Sequence, residues 1–206
     1  MKIIALQNRR KGLTSLTLED ESELLLDTEI VIAKDLKPGV FIDDPDALVY
    51  ESDYKRAKSR ALWYLSRADH TEKGLAEKLQ TAGFAQKAVE NAVERMKELG
   101  LIDDVKYALR LCQSLGQNGT SQREIYFKLI KKGVPGDLAK QVLSEEEKEE
   151  YEKILYLLKT KYSLKLNSKE EIEKTVNSLA RKGFSFSDIK EALRQYNEEI
   201  IYNEDI

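Results

Sequence analysis

The sequence predicts a mainly all-α protein: an elongated, curved array of three tandem three-helix repeats, preceded by a small strand-containing N-terminal module. Three observations predict this fold class. First, glycines recur at intervals of 50 residues, at Gly83, Gly133 and Gly183. Second, apolar residues follow helical spacing on both sides of each of these glycines. Third, only three prolines are present and 34% of the residues are charged, which is typical of a helix-rich protein with narrow apolar stripes.

The N-terminal module is predicted to occupy residues 1–50 and to be a cap or an interaction arm. Its predicted strands are residues 2–6, 13–18 and 24–26. Asp27 is predicted to cap a short helix that runs to Leu36. Residues 43–46, with the sequence Asp-Asp-Pro-Asp, form either a turn or the start of a helix. A sheet of this size needs to pack on a helix to be stable.

The three repeats are predicted to occupy residues 51–103, 104–146 and 147–206. Their first helices are predicted at residues 54–67, 104–117 and 147–163. Their middle helices begin after the hydroxyl residues Thr71, Ser121 and Ser168, and two of these form capping boxes with Glu124 and Glu171. Their third helices are predicted at residues 85–98, 135–144 and 185–199. The acidic run at residues 145–150 is either a linker or, as acidic groups favour, the start of the third repeat's first helix.

The apolar pattern around each repeat glycine predicts which residues are buried. A leucine stands four residues before each glycine: Leu79, Leu129 and Leu179. An apolar pair stands nine and ten residues after it: Ala92 and Val93, Val142 and Leu143, Ala192 and Leu193. One such repeat cannot bury its apolar stripe alone, so we expect the repeats to share continuous contacts.

The connection between the first and second repeats is predicted to be short and anchored. Gly100 ends a helix in the left-handed conformation. Leu101 and Ile102 are predicted to be buried anchors in the connection itself. Asp103 or Asp104 is predicted to cap the following helix.

The chain carries no catalytic motif, so we expect neither an enzyme nor a bound cofactor or metal. Its single cysteine, Cys112, lies on an apolar stripe and is predicted to be a small core residue. His70 is predicted to be a surface residue, and Trp63 to pack in a core, with a base-stacking platform as the alternative. Neither a membrane span nor a secretory signal is recognisable, which predicts a cytoplasmic protein.

Positive charge is concentrated in the middle of the chain. The net charge is −3, yet residues 105–144 contain seven basic and two acidic residues. This segment predicts a surface for an anionic partner, either a phosphate backbone or an acidic protein face; an ordinary solvated helix surface is the alternative. The candidate site residues are Lys106, Arg110, Arg123, Lys128, Lys131 and Lys132, with Arg60, Arg67 and Lys73 as an extension from the first repeat.

The order and spacing of several motifs resemble the RecX regulatory family. The stretch Gly100-Leu101-Ile102-Asp103-Asp104-x-x-Tyr107-Ala108 is similar to a family signature. The resemblance includes residues 67–71 and the later positions Leu75, Lys78, Leu79, Gly83 and Phe84. It continues through Gly119, Ile125, Leu129, Lys132 and Gly133 and, more weakly, through the third repeat.

The resemblance implies a cytoplasmic modulator of the RecA recombinase that lodges in the helical groove of the RecA–DNA filament. There it would restrain filament growth, strand exchange, ATP hydrolysis and the co-protease activity behind the SOS response, and so affect DNA repair by homologous recombination. The implied partners are RecA and the RecA–DNA filament, with weaker direct binding to DNA. The alternatives are a DNA-binding helical module that acts without RecA and a helical scaffold for another protein. We expect a monomer with no membrane partner.

Overall fold

A computed structural model describes residues 1–144, 150–166 and 168–204, with side chains described as far as residue 197. Over these residues the chain forms ten α-helices, a short 3-10 helix and one three-stranded sheet, which confirms the mainly helical fold with an N-terminal strand module. The chain divides into two compact units, Met1–Asp103 and Asp104–Ile206. Within the described residues, none of the helices has both the length and the apolar character needed to cross a membrane.

Unit 1 begins with an antiparallel sheet whose strands lie in chain order. The strands are β1 (Ile3–Arg9), β2 (Leu13–Leu18) and β3 (Glu23–Asp27), so the three predicted strands are confirmed. Leu16 of the central strand pairs with Leu6 on one side and Leu24 on the other. Because alternate side chains of a strand point to opposite faces, this register puts a row of leucines on the face that packs against the helices.

The helix after β3 is shorter than predicted. Helix α1 (Thr28–Ala33) is capped by Asp27, whose carboxylate accepts a hydrogen bond from the Glu29 N–H, as predicted. It ends before Leu36 because Asp35 adopts a left-handed conformation, with φ of 49°, which the next turn of a right-handed helix does not allow.

The first helix of repeat 1 begins earlier than the predicted residue 54. Helix α2 (Pro45–Leu65) is capped by Asp44, which accepts from the Ala47 N–H at 2.9 Å. Pro45 is suited to this first position because its fixed φ matches the helix and it has no N–H to satisfy. The predicted helix start is therefore wrong, and α2 runs without a break through the predicted module boundary at residue 50.

This long helix joins the sheet to repeat 1. The hydroxyl of Ser52 accepts a hydrogen bond from the Asp27 N–H at 2.7 Å, and Ser52 is fully buried. One turn later, the Lys55 ammonium group contacts the carboxylates of Asp27 and Glu29 at 2.8 and 2.5 Å. The small sheet is thus supported by a helix, as its size requires.

Repeat 1 is completed by α3 (Glu72–Thr81), which Thr71 caps, and α4 (Gln86–Glu98). Its core is built from the fully buried positions Ala57, Ala61, Leu75, Leu79, Ala88, Val89, Ala92 and Met96. Ile102 joins this core from the following connection, as predicted. Leu101, in contrast, is 48% exposed, so its predicted burial is wrong. Neighbouring side chains in a non-helical connection point in different directions, so only one of the two reaches the core.

Unit 2 contains repeats 2 and 3. Repeat 2 consists of α5 (Asp104–Gln117), α6 (Gln122–Lys131) and α7 (Gly136–Ser144). Repeat 3 consists of α8 (Glu150–Thr160), α9 (Lys169–Arg181) and α10 (Phe186–Glu204). A 3-10 helix, Ser163–Lys165, connects α8 to α9. Residues 145–149 are not described, so most of the acidic run and the predicted start of the first helix of repeat 3, at residue 147, lie outside the described residues.

The internal repeat is confirmed by its turns. Gly83, Gly133 and Gly183 have φ values of 88°, 91° and 91°, a left-handed conformation that suits glycine. Each turn ends a middle helix and starts a third helix. The three leucines that precede these glycines, Leu79, Leu129 and Leu179, are fully buried.

Repeats 2 and 3 are joined at the start of α6. Ser121 caps α6, since its hydroxyl accepts from the Glu124 N–H at 3.1 Å. The Ser121 N–H donates to the carbonyl of Lys182 at 3.1 Å. The next amide, that of Gln122, donates to the Glu150 carboxylate at 2.8 Å. Repeat 3 thus accepts two of the hydrogen bonds that the N–H groups at this helix N-terminus donate, and Ser121 itself accepts a third.

Candidate partner-binding surfaces

The predicted cations of unit 2 lie on two helices. Lys106 and Arg110 are exposed on α5. Arg123, Lys131 and Lys132 are exposed on α6 or at its end, whereas Lys128 is half-buried. These are the residues from which a surface for an anionic partner is to be built.

The sequence of α6 separates an apolar flank from a basic one. Ile125 and Leu129 are fully buried in the core of repeat 2. Lys128, Lys131 and Lys132 follow at steps of three and four residues, which places neighbouring side chains on a common side of a helix. Lys128 lies 3.6 Å from the Glu124 carboxylate, which partly neutralises its charge. The C-terminal end of a helix is also where cations are stabilised by the helix dipole.

Phe127 is a feature of this helix that sequence reasoning missed. Its side chain is 54% exposed, and the Arg123 guanidinium lies 5.9 Å from the ring centroid. The equivalent residues of repeat 1, Lys73 and Glu77, form an ion pair at 4.0 Å. Repeat 2 therefore has an exposed aromatic ring where repeat 1 has a carboxylate. Aligning the repeats position by position would have revealed this difference from the sequence.

A second cationic feature extends from repeat 2 into repeat 3. The Lys182 ammonium group donates to the carbonyl of Asn118 at 2.6 Å. Burial lowers the pKa of Lys182, the nearby positive charges of Lys161 and Lys128 lower it further, and Tyr162 acts in the opposite direction. Like charges are thus held close together, and Lys128 belongs to a cluster that the sequence assigned to repeat 2 alone.

Lys182 could have been found from the repeat pattern. Like Lys132, it stands directly before the repeat glycine. No spacing in the sequence points to Lys161, because this residue directly follows α8 and comes near Lys182 only through the tertiary fold.

In unit 1, Arg60 and Arg67 are brought together around one aromatic ring. Their guanidinium carbons lie 5.4 and 4.2 Å from the centroid of Trp63. Trp63 is 44% exposed, so its predicted core packing is wrong. The reason is helical geometry: α2 faces the core with Ala61, and a residue two positions later lies about 200° around the helix. Lys73 is exposed and pairs with Glu77 on α3.

Two other predictions concern single residues. Cys112 is 1% exposed and belongs to the core of repeat 2, as predicted. His70 is half-buried, and its ring lies 6.3 Å from that of Tyr64 in an edge-to-face arrangement. It therefore contributes to an aromatic contact on unit 1 rather than projecting freely from the surface.

Comparisons with known proteins relate the chain to one family. Residues 57–96 match the model of the first three-helix domain of RecX, and residues 148–193 match that of the third. A regulatory protein RecX from Caldanaerobacter subterraneus is 36% identical over 139 residues, which cover 68% of this chain and 70% of the relative. One from Clostridium tetani is 27% identical over 203 residues, covering 93% and 92% of the two chains.

Solved structures show the same fold. A crystal structure of a regulatory protein RecX has a TM-score of 0.59 at 24% identity and covers 92% of this chain and 98% of its own. The structure of RecX from Lactobacillus salivarius has a TM-score of 0.58 at 24% identity, with 70% and 97% covered. Sequence identity and fold agree with the motifs and with the repeat, and the chain belongs to the RecX family of regulatory proteins.

Proposed function

We propose that this chain is a non-enzymatic regulator of the RecA recombinase that binds the RecA–DNA filament in its helical groove. In this role it inhibits or modulates filament growth, ATP hydrolysis, strand exchange and the co-protease activity of the SOS response, and it works in the cytoplasm. Membership of a family of regulatory proteins supports a protein partner. The choice of RecA follows from the family resemblance of the motifs.

The observation that carries the proposal is the exposed side of α6. The segment with seven basic and two acidic residues presents Lys131, Arg123 and the exposed ring of Phe127 on one short helix. Apolar contact area surrounded by cations suits a partner that carries both protein surface and nucleic acid. Several such contacts along a polymeric partner strengthen binding through their effective concentration.

The test reverses the basic side of α6. A variant with Lys128→Glu, Lys131→Glu and Lys132→Glu is expected to inhibit RecA ATP hydrolysis at least tenfold less well than the wild type, because three attractive contacts become repulsive. Far-UV circular dichroism checks that the variant is still helical. Full inhibition by the folded variant would remove this helix from the mechanism.

A matched control separates local contact from net charge. Lys165, Lys169 and Lys190 are exposed lysines of repeat 3, and their reversal to glutamate changes the net charge by the same amount. The control variant is expected to inhibit as the wild type does. Equal losses in both variants would point to long-range electrostatics in place of a defined surface.

The alternative is a DNA-binding module that acts without RecA, which the arginines around Trp63 favour. Co-sedimentation with preformed RecA filaments, and with DNA alone, distinguishes the two functions. The proposed function predicts much stronger co-sedimentation with RecA filaments than with DNA alone. The alternative predicts equal binding to bare DNA, with a steep loss of affinity as salt is raised.

A further inference from the structure

The C-terminal part of α2 carries a cluster of cations and aromatic rings on its exposed side. The Trp63 indole has Arg60 and Arg67 over it, and the ring of Tyr64 meets it edge-to-face at a centroid distance of 5.2 Å. The Lys78 ammonium group lies 5.1 Å from the centroid of Tyr64. These five residues form the Trp63 cluster.

Packing does not require a tryptophan at this position. Ala61 and Cys112 are equivalent buried residues of the first helices of repeats 1 and 2. Two residues after each of them stand Trp63 and Ser114, and both are exposed. The same helix is therefore built in repeat 2 with a small polar residue. Core packing therefore does not account for an exposed tryptophan at this position of repeat 1, and contact with a ligand or partner would account for it.

The charges of the cluster are available to a ligand. Within the part of the chain that the structure describes, neither Arg60 nor Arg67 forms an ion pair with a carboxylate; their contacts are with the indole. Both side chains are exposed. Each guanidinium can therefore pivot from the ring to an anionic oxygen while a planar group takes its place over the indole. Arginine is suited to both contacts, since it stacks on rings and binds phosphate in a bidentate manner.

We propose that the Trp63 cluster is a binding site for single-stranded nucleic acid, in which a base stacks on Trp63 and the flanking phosphates bind Arg60 and Arg67. Lys78, held over Tyr64, extends the positive charge toward the next phosphate. Single-strand binding sites combine a basic track with aromatic side chains on which bases stack. The acidic side chains of a polypeptide would use the cations but carry no aromatic ring to stack on the indole, so the nucleic acid is the better fit.

The chain contains its own reporter for this site, because Trp63 is its only tryptophan. Titration with oligo(dT), without RecA, is expected to quench the intrinsic fluorescence, since a stacked base lies directly on the indole. Titration with poly-L-glutamate is the parallel arm. Tighter binding of poly-L-glutamate than of oligo(dT) would assign the cluster to an acidic protein partner and overturn the proposal.

Variants separate stacking from charge, with fluorescein-labelled oligo(dT) and anisotropy as the measurement. Trp63→Ser introduces the residue that repeat 2 has at this position. It is expected to raise the Kd about 5- to 150-fold, which corresponds to the loss of one base stacked on an aromatic ring. Trp63→Phe keeps most of the affinity because it keeps a flat ring. Replacing both arginines with glutamine is expected to reduce the magnitude of the negative slope of log K against log salt concentration by about 1.4, because two phosphate contacts are lost.

The control is Tyr156→Ser, which removes a 67% exposed ring from unit 2 and is expected to leave the Kd unchanged. Wild-type affinity in folded Trp63→Ser would overturn the proposal, as would oligo(dT) binding without quenching. Because RecA is absent from these titrations, their result does not depend on the proposed function. A protein that binds oligo(dT) through this cluster can still fail to inhibit RecA. A protein that inhibits RecA can likewise fail to bind oligo(dT), so the two proposals are tested separately.

Discussion

Gly183 lies directly against the buried hydroxyl of Ser121. A Cβ atom built on Gly183 would be 2.4 Å from the Ser121 Oγ and 2.8 Å from the Cβ of Glu124. The turn of repeat 3 thus packs on the first turn of α6 with no room for a methyl group. Together with the bond from the Ser121 N–H to the Lys182 carbonyl, this contact makes the start of α6 a shared element of repeats 2 and 3.

We expect Gly183→Ala to destabilise unit 2 by about 2–5 kcal/mol. The left-handed conformation costs an alanine about 1–2 kcal/mol, and the overlap with Ser121 and Glu124 adds about 1–3 kcal/mol. Cys112 provides the measurement, since it is the only cysteine and is buried in unit 2. Its rate of reaction with a thiol reagent in increasing denaturant follows the opening of that unit.

Gly83→Ala is the matched control, because Gly83 occupies the same turn of repeat 1. It has nearly the same φ, 88°, but no atom within 4 Å of the position of an added Cβ. Only the conformational cost of about 1–2 kcal/mol remains. Equal destabilisation by the two substitutions would show that the contact with Ser121 carries no energy.

The ion pairs of Lys55 give a stability contribution with a defined pH dependence. Burial lowers the pKa of the Lys55 ammonium group, but hydrogen bonds to Asp27 and Glu29 outweigh burial, and the pKa is raised above its ordinary value. A raised pKa in the folded state means that the stabilisation is complete below the ordinary pKa of about 10.4 and is lost as the pH rises through the higher, folded value.

Lys55→Met is therefore expected to lower the free energy of unfolding of unit 1 by about 1 kcal/mol at neutral pH, a value discounted for the exposure of Glu29. The difference from the wild type should stay constant up to about pH 9 and shrink above about pH 10.4. Trp63 fluorescence during denaturant unfolding reports on this unit. Lys34→Met, which breaks the more exposed pair with Glu51 at 3.0 Å, should cost less than about 0.5 kcal/mol.

Periodicity and turn residues were sufficient to predict most of the fold. Gly83, Gly133 and Gly183 end their helices where predicted, because only backbone conformation is needed to end a helix there. The hydroxyl caps were predictable for the same reason: the hydrogen bond that Ser121 or Ser168 accepts comes from an N–H three residues later in the chain. Local rules govern these features, so a local pattern was enough.

The errors arose where a side chain's direction decides the outcome. The large ring predicts core packing for Trp63, although the position of Ala61 places Trp63 on the opposite side of α2. Apolar character predicts burial for Leu101, yet only its neighbour Ile102 points into the core of repeat 1. The proximity of Lys161 to Lys182 depends on how repeat 3 folds back on itself, which no spacing in the sequence encodes.

Phe127 gives the sharpest test of the exposed side of α6. Phe127→Glu makes this position like that of Glu77 in repeat 1 and allows an ion pair with Arg123 at i and i+4. Because the ring is half-exposed, the stability of unit 2 should change by no more than about 0.5 kcal/mol. Under the proposed function, however, the substitution removes an apolar contact from the interface and introduces a charge with the wrong sign. Inhibition of RecA ATP hydrolysis should weaken about tenfold or more, equivalent to at least about 1.4 kcal/mol.

Two further variants make the Phe127 result specific. Phe127→Leu keeps an apolar side chain without the ring, and it should retain inhibition if apolar contact area is what matters at this position. Glu77→Phe creates the same exposed ring in unit 1 and should neither raise nor lower inhibition, because the rest of the α6 surface is missing there. Wild-type inhibition by Phe127→Glu would instead show that α6 contacts the filament through its lysines alone, or not at all. The triple lysine reversal decides between those two outcomes, since its full activity would leave α6 with no role in binding.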